Sequence, residues 1–554
     1  MKTLLLRRVP LLAALLPVLA MARTAPPPVI PARIAATATR LVATDTAPAL
    51  VVAMVDDSRT AIAGYGRLAD GRVPDAATVF EIGSVTKTFT ALLLAQQVQQ
   101  GKATLDTPVS AWLPGWQVPS RDGKPITLGL LAEQYSGLPR LPTGLGAGSD
   151  PYAAYDAKQL RAFLAGYTLP RDPGAKYEYS NLGFGLLGYA LSRHAGLGYG
   201  ALLERDVLQP LGMGSTAVET TPAMRARLAP GHDMAGKPQG RWHFRDALAG
   251  AGAVLSDGHD MLAYLEANMG VSRTPLAAAT KLAQTPRLKV PMGRIGLAWM
   301  STPTPDGTVL WHNGETGGYS SFIGFTADGR RGVVLLANSQ AAGGALTKLG
   351  MAALSPKSPL PDVRKAVQLP PATLDDYVGQ YELAPGFVLT VFRSGDDLYA
   401  RATGQGALPL SASARDAFFA SVDDIRIDFK RDASGKVAAL VLHQNGTDHR
   451  AKRLDGAVSE QGVHAVTLAP GIWRDYVGHY KLAPGAVFDI TARHGQLYAQ
   501  LTGQPAFPVF ASAKDRFFYT AADAALEFQR DAAGKVVALV LHQGGQSKRA
   551  PREP

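Results

Sequence analysis

The C-terminal part of the chain repeats itself at a constant offset of 99 residues. Tyr377-Val378-Gly379-Gln380-Tyr381 recurs as Tyr476-Val477-Gly478-His479-Tyr480, and Leu398-Tyr399-Ala400 recurs as Leu497-Tyr498-Ala499. Arg431-Asp432-Ala433 and Gly435-Lys436-Val437 return as Arg530-Asp531-Ala532 and Gly534-Lys535-Val536, and residues 440–444 and 539–543 both read Leu-Val-Leu-His-Gln. A period this long is a whole small domain, and two copies are too few for a solenoid, so each copy must bury its own core. Short alternating strands between glycine turns predict a small all-β barrel for each, over 372–455 and 471–554, with a linker at 456–470. The pairs Phe418-Phe419 and Phe517-Phe518 read as core of those barrels. Pro356, Pro359, Pro361, Pro370 and Pro371 mark 355–371 as the linker that separates the repeats from everything before them.

With 554 residues the chain is too long for a single core. Its 18% charged and 46% hydrophobic residues describe a globular protein. The formal net charge of +11 is scattered, with no basic run and no zinc-finger spacing, which argues against nucleic-acid binding. The absence of cysteine excludes disulfides, a thiol nucleophile and cysteine-based metal sites. Residues 1–22 carry Lys2, Arg7 and Arg8, then a short apolar run broken by Pro10 and Pro17, then the small-residue site Ala20-Met21-Ala22. That is the pattern of a cleavable secretory signal, and it predicts a periplasmic or secreted protein. No later stretch is long and apolar enough to span a membrane. No motif for a metal, nucleotide or other cofactor occurs, so none is expected. The sequence is compatible with an oligomer.

Between signal and linker, 32–354 reads as one domain. A helix is expected over 32–44, strands over 49–55 and 60–68, an apolar helix from Leu182 to about Ala195, strands at 296–300 and 308–311, and two more over 321–325 and 332–337. Asn181 is placed to cap the helix that follows it. Glycine-rich 141–150 is expected to be a surface loop beside a cleft. The stretch Phe80-Glu81-Ile82-Gly83-Ser84-Val85-Thr86-Lys87-Thr88-Phe89 reads as a turn feeding a helix, with Val85, Phe89, Leu92 and Leu93 on one apolar face. Ser84 and Lys87, three apart, share a face. A serine hydroxyl becomes a nucleophile when a base takes its proton, and a lysine is that base only where burial or positive charge lowers its pKa. A helix N-terminus adds partial positive charge and an N–H for an oxyanion.

Ser84-Val85-Thr86-Lys87, Tyr179-Ser180-Asn181 and His312-Asn313-Gly314 occur in that order, each beside a predicted helix or strand. Together they resemble the three signature elements of the penicillin-recognising serine hydrolases: class C β-lactamases, D,D-peptidases, D-aminopeptidases and related esterases. Ser136-Gly137-Leu138-Pro139, Pro210-Leu211-Gly212-Met213 and Gly317-Gly318-Tyr319-Ser320 fit the same context. The resemblance implies an α/β (α+β) β-lactamase-like domain, a central antiparallel sheet flanked by helices, followed here by two lipocalin-like barrels. It implies Ser84 as nucleophile, Lys87 as base and Tyr179 as phenolate or hydrogen-bonding relay. It also implies Asn181 holding Lys87 and substrate, His312 among the substrate-binding residues, and an oxyanion hole from the N–H groups of Ser84 and Glu315 beside Gly314. In the family the third element most often begins with lysine, which holds a substrate carboxylate. His312 in its place, mostly neutral, implies at most weak β-lactamase activity. The two following barrels resemble D-aminopeptidase architecture, which implies short or non-standard peptide substrates. An esterase and an acylation-only penicillin-binding sensor are the alternatives.

Overall fold

A computed structural model describes residues 29–553, apart from 147, 395–396, 406, 421–424, 445–446, 458–464, 470, 484–485, 494–495, 503–505, 521 and 544–545. The segment read as a signal peptide, and much of the 456–470 linker, lie outside the described residues.

The N-terminal domain begins with α1 (Ala32–Ala43) and the hairpin β1 (Ala49–Asp56) and β2 (Arg59–Gly66), turning at Asp57 with φ 54°. Further along come α2 (Thr86–Gln99), α3 (Asn181–Ala195), α4 (Asp246–Gly252) and α5 (Gly258–Met269). Six strands complete the sheet: β3 (Leu288–Val290), β4 (Gly293–Ile295), β5 (Met300–Thr304), β6 (Gly307–Glu315), β7 (Ser320–Thr326) and β8 (Arg331–Ala337). The order is β2-β1-β8-β7-β6-β5-β4-β3, antiparallel throughout, and α6 (Gly343–Leu354) closes the domain.

Strand periodicity of two splits β1 between two cores. Ala49, Val51, Ala53 and Val55 face a large core with α2, α3, α4 and α5; Leu50, Val52 and Met54 face a second core with α1 and α6. A sheet covered on both faces explains why β1 reads as a continuous apolar run.

Two local expectations are corrected. Residues 296–299 form a turn: Ala298 has φ 64°, and the amides of Leu297 and Ala298 donate to Ala283 and Ala132 at 2.8 and 2.9 Å. Its burial comes from packing against helices, which an apolar run cannot distinguish from a strand. The cap of α3 is Ser180, whose Oγ accepts from the Gly183 N–H at 2.8 Å, and Asn181 is the first helical residue. In the 355–371 linker, Leu360 and Val363 pack on the second core.

Each repeat folds as eight strands. The first runs from Gly379–Ala384 to Thr447–Arg453 and closes as a barrel through Tyr381 and Glu382 against Arg453 and Lys452. The second runs from Gly478–Ala483 to Gln546–Pro551 and nearly closes, through a single bridge between Tyr480 and Arg552. Barrel 2 rests on barrel 1, where Arg401 Nη2 donates to the Thr520 carbonyl at 2.6 Å.

Candidate active site

α2 is preceded by a turn of 3₁₀ helix, Gly83–Val85, so Ser84 sits where the chain enters the helix. Residues 86–97 of the helix are buried on every side, including Lys87, Thr88 and Thr90. The expected one-sided apolar stripe is therefore a fully enclosed helix, with the domain's largest core around it.

Lys87 is 0% exposed. Its Nζ donates to Ser84 Oγ at 2.9 Å, to Asn181 Oδ1 at 2.8 Å and to the Ala251 carbonyl at 2.7 Å. All three acceptors are neutral. The third is in reach because α3 and α4 touch at small residues: a Cβ on Gly188 would lie 2.8 Å from Gly250 Cα. Burial pulls the Lys87 ammonium well below its ordinary pKa, and the Arg140 guanidinium pulls it further. The fall favours a neutral amine able to accept the serine proton.

Tyr179 stands at the cleft wall, with its hydroxyl hydrogen-bonded to Ser84 and its ring 4.9 Å from Lys87 Nζ. Burial pushes its phenol up, against the pull of Ser84 and Arg140. Of the two forms considered from sequence, phenolate or relay, the environment favours the protonated relay. Arg140 was missed by sequence reasoning. It follows the Ser136-Gly137-Leu138-Pro139 turn, lines the cleft and lies 5.1 Å from the Tyr179 ring; adjacency to that motif was its only signal.

The third element lies inside β6 rather than at its end. Gly83 (φ 50°) and Gly314 allow β6 to press against the entrance of α2. A Cβ on Gly314 would come within 2.1 Å of Ile82 O and 2.9 Å of Ser84 N, and one on Gly83 within 2.7 Å of Glu315 N. The Thr316 N–H donates to Tyr319 O at 3.0 Å. Alternation of the antiparallel ladder then turns the Glu315 N–H away from β7, toward the Ser84 side. The backbones of Ser84 and Glu315 are thereby neighbours. The Glu315 side chain lies against Gly343 at the start of α6, where a Cβ would overlap its carboxylate.

His312 departs from expectation. It is 1% exposed, and its Nδ1–H donates to the Asn313 carbonyl at 2.6 Å. Burial, then the nearby Lys87 charge, lower its pKa to about 3. The ring sits behind Tyr179, centroids 6.4 Å apart, and does not line the cleft. A neutral imidazole at that depth supports Tyr179 and offers a substrate carboxylate no charge.

The cleft has a volume of about 850 Å³. Near Ser84 it is walled by Tyr152, whose ring stacks on Phe244, and by Trp242, which meets Phe244 edge-on and is fixed by its Nε1 donating to Ser149 O at 2.8 Å. At its other side it reaches the linker and Phe419 and Arg426 of barrel 1. Phe418 is core as expected, but Phe419 is cleft wall. Among the described residues no cluster of side chains could hold a metal, and no helix is long and apolar enough to cross a membrane.

Comparison with known proteins follows the same division. The beta-lactamase family matches residues 34–354, and a domain of unknown function (DUF3471) matches 363–455 and again 464–550. The D-alanyl-D-alanine-carboxypeptidase/endopeptidase AmpH of Escherichia coli K12 is 27% identical over 224 residues, 40% of this chain and 57% of that protein. The chain thus matches little more than half of that relative's length. Penicillin-binding protein 4* of Bacillus subtilis 168 is 24% identical over 428 residues, 70% of this chain and 91% of its own. The class C beta lactamase of Rhodobacter sphaeroides superposes with a TM-score of 0.50 at 24% identity, covering 55% of this chain and 94% of its own, a likeness of fold.

Proposed function

The chain belongs to the beta-lactamase family, and on that premise we propose that it is an exported serine hydrolase that cleaves amide bonds of short or non-standard peptides through an acyl-enzyme on Ser84. The observation that carries this is the contact between Lys87 Nζ and Ser84 Oγ, 2.9 Å, at a lysine that burial holds toward its neutral form. In the proposed cycle Lys87, with Tyr179 as relay, takes the Ser84 proton as Oγ attacks the carbonyl carbon. The oxyanion forms against the N–H groups of Ser84 and Glu315. Collapse expels the amine, which leaves with the proton from the Lys87–Tyr179 pair. Water, deprotonated by the same pair, then releases the acid and restores Ser84. Asn181 Oδ1 keeps Lys87 aimed at Ser84.

Peptide amides are favoured as substrates because the matched relatives include a D-alanyl-D-alanine-carboxypeptidase/endopeptidase and because the cleft extends well beyond Ser84. Buried, neutral His312 supports weak activity at most on β-lactams, which carry a carboxylate. Export rests on the N-terminal sequence pattern. Intact-mass spectrometry of the mature protein with a panel of D-aminoacyl amides, linear peptides, nitrophenyl esters and a β-lactam tests the proposal. A transient adduct on Ser84 with peptide turnover, both absent in Ser84→Ala, is the expected outcome. Unchanged turnover by Ser84→Ala rejects the mechanism, and a lasting adduct without turnover indicates a sensor.

A further inference from the structure

The two barrels were built from one sequence, so positions that differ between them show what each copy has been shaped for. Inside, the pairs match: Phe418 faces Ile427 across one hairpin, and Phe517 faces Leu526 across the other, all four buried. Outside, on the same hairpins, they diverge. Barrel 1 has Phe419 directly opposite Arg426; barrel 2 has Phe518 opposite Ala525. The diverging face of barrel 1 is the one that lines the Ser84 cleft.

Arg426 is half-buried there, and among the described residues its guanidinium has no carboxylate or hydrogen-bond acceptor. This is unlike the barrel arginines 431 and 530, each held on an aspartate, and unlike Arg364 on the linker, held by Asp362 at 2.8 Å. A partly desolvated cation without a counter-ion, flanked by an aromatic ring, is an unfilled anion site. Within the domain of Ser84, His312 occupies the motif position from which a lysine would hold a carboxylate, and it carries no charge.

We propose that barrel 1 completes the substrate site and that Arg426, beside Phe419, binds a carboxylate of the substrate away from the scissile bond. The inference rests on the cleft being the substrate site of the hydrolase proposed above, and it names the class of substrate: peptides with an acidic group at the end that extends to barrel 1. The carboxylate is either a chain terminus or an acidic side chain, and both offer the planar two-oxygen acceptor that a guanidinium matches.

The test separates binding from chemistry. In full-length Ser84→Ala, which cannot be acylated, calorimetry measures peptides of graded length in three forms: free acid, terminally amidated, and with acidic side chains replaced by amides. The form that retains the recognised carboxylate is expected to bind about tenfold to a hundredfold more tightly than its neutral match. Adding Arg426→Ala removes that difference, Arg426→Glu reverses it, and Arg426→Lys keeps part of it. The amidated and side-chain-neutral series tell terminus from side chain. An acid preference that survives Arg426→Ala, or no acid preference in the parent, overturns the proposal; thermal unfolding of each variant shows that the barrel is intact. Failure of the hydrolase reading would appear separately, as absence of Ser84-dependent turnover in the unsubstituted protein.

Discussion

The catalytic domain and the barrels each bury cations, and treat them in opposite ways. Lys87 is fully enclosed and surrounded by neutral acceptors, so its charge is disfavoured. Arg431 and Arg530 are each clasped by an aspartate, Asp416 and Asp515, at 2.8 Å, which holds their charge firmly. The barrel motif is copied in detail. Tyr377 and Tyr476 accept the amides of Asp416 and Asp515 at 3.1 and 3.2 Å, and those aspartates share a left-handed φ of 68° and 65°. A cation that braces a fold is given a counter-ion; the one proposed to give up its proton is denied it.

The contrast is broken most severely by removing the reactive cation. Lys87→Met is expected to lower the rate of adduct formation on Ser84 by roughly a thousandfold, measured by rapid-quench mass spectrometry. Giving Lys87 a counter-ion sharpens the contrast. Asn181→Asp places a carboxylate where Oδ1 now accepts, and should move the limb of the kcat/KM profile that reports neutral Lys87 upward by about one to three pH units. Activity lost at neutral pH should return at high pH; a loss that does not recover would mean that Asn181 acts on the substrate instead.

Glu81 is the anionic parallel to Lys87. It is 3% exposed, its Oε1 accepts the Trp242 N–H at 2.9 Å, and burial raises its pKa to about 7. Between its ordinary value of 4.5 and about 7 the folded chain keeps a proton that the unfolded chain releases. Its contribution is therefore fully present below that window and declines as pH rises through it, by about 3 kcal/mol at most. Glu81→Gln should flatten that slope in denaturant titrations across the window. The smallest effect belongs to the barrels. Asp416→Asn and Asp515→Asn keep shape and backbone preference but remove the charge from each arginine, and each should cost about 1–2 kcal/mol in chemical unfolding. The pH profile of Ser84 acylation should stay where it is in both.

These differences also mark what could be read from sequence. Ser84 and Lys87 were legible because their relation is local, one helical turn, and the repeat was legible because it is a copy. Tyr179 and Asn181 came with them as a spaced motif. Arg140 and Arg426 were not legible, because each reaches the cleft only through tertiary packing; Arg140 had no signal beyond its place after the Ser136-Gly137-Leu138-Pro139 turn, and Arg426 had none. The depth of His312 was hidden for the same reason: strand periodicity says which face a residue takes, but not what covers that face. In α2 the apolar stripe was real but incomplete, since Thr88, Thr90, Gln96 and Gln97 are buried too. Their partners, such as Tyr264 and Tyr199 hydroxyls on Thr88 and Thr90 at 3.1 and 2.6 Å, lie far away in the chain.

A proposed nucleophile at the entrance of a helix whose residues 86–97 have no solvent face has no private way to fail. Amides of α2 should exchange with deuterium only when the whole domain opens, because no smaller opening wets them. On warming, the fall in Ser84 acylation and the loss of the domain's tertiary signal should trace one curve. Heat would then leave either competent or unfolded molecules, with no folded but inert population between them.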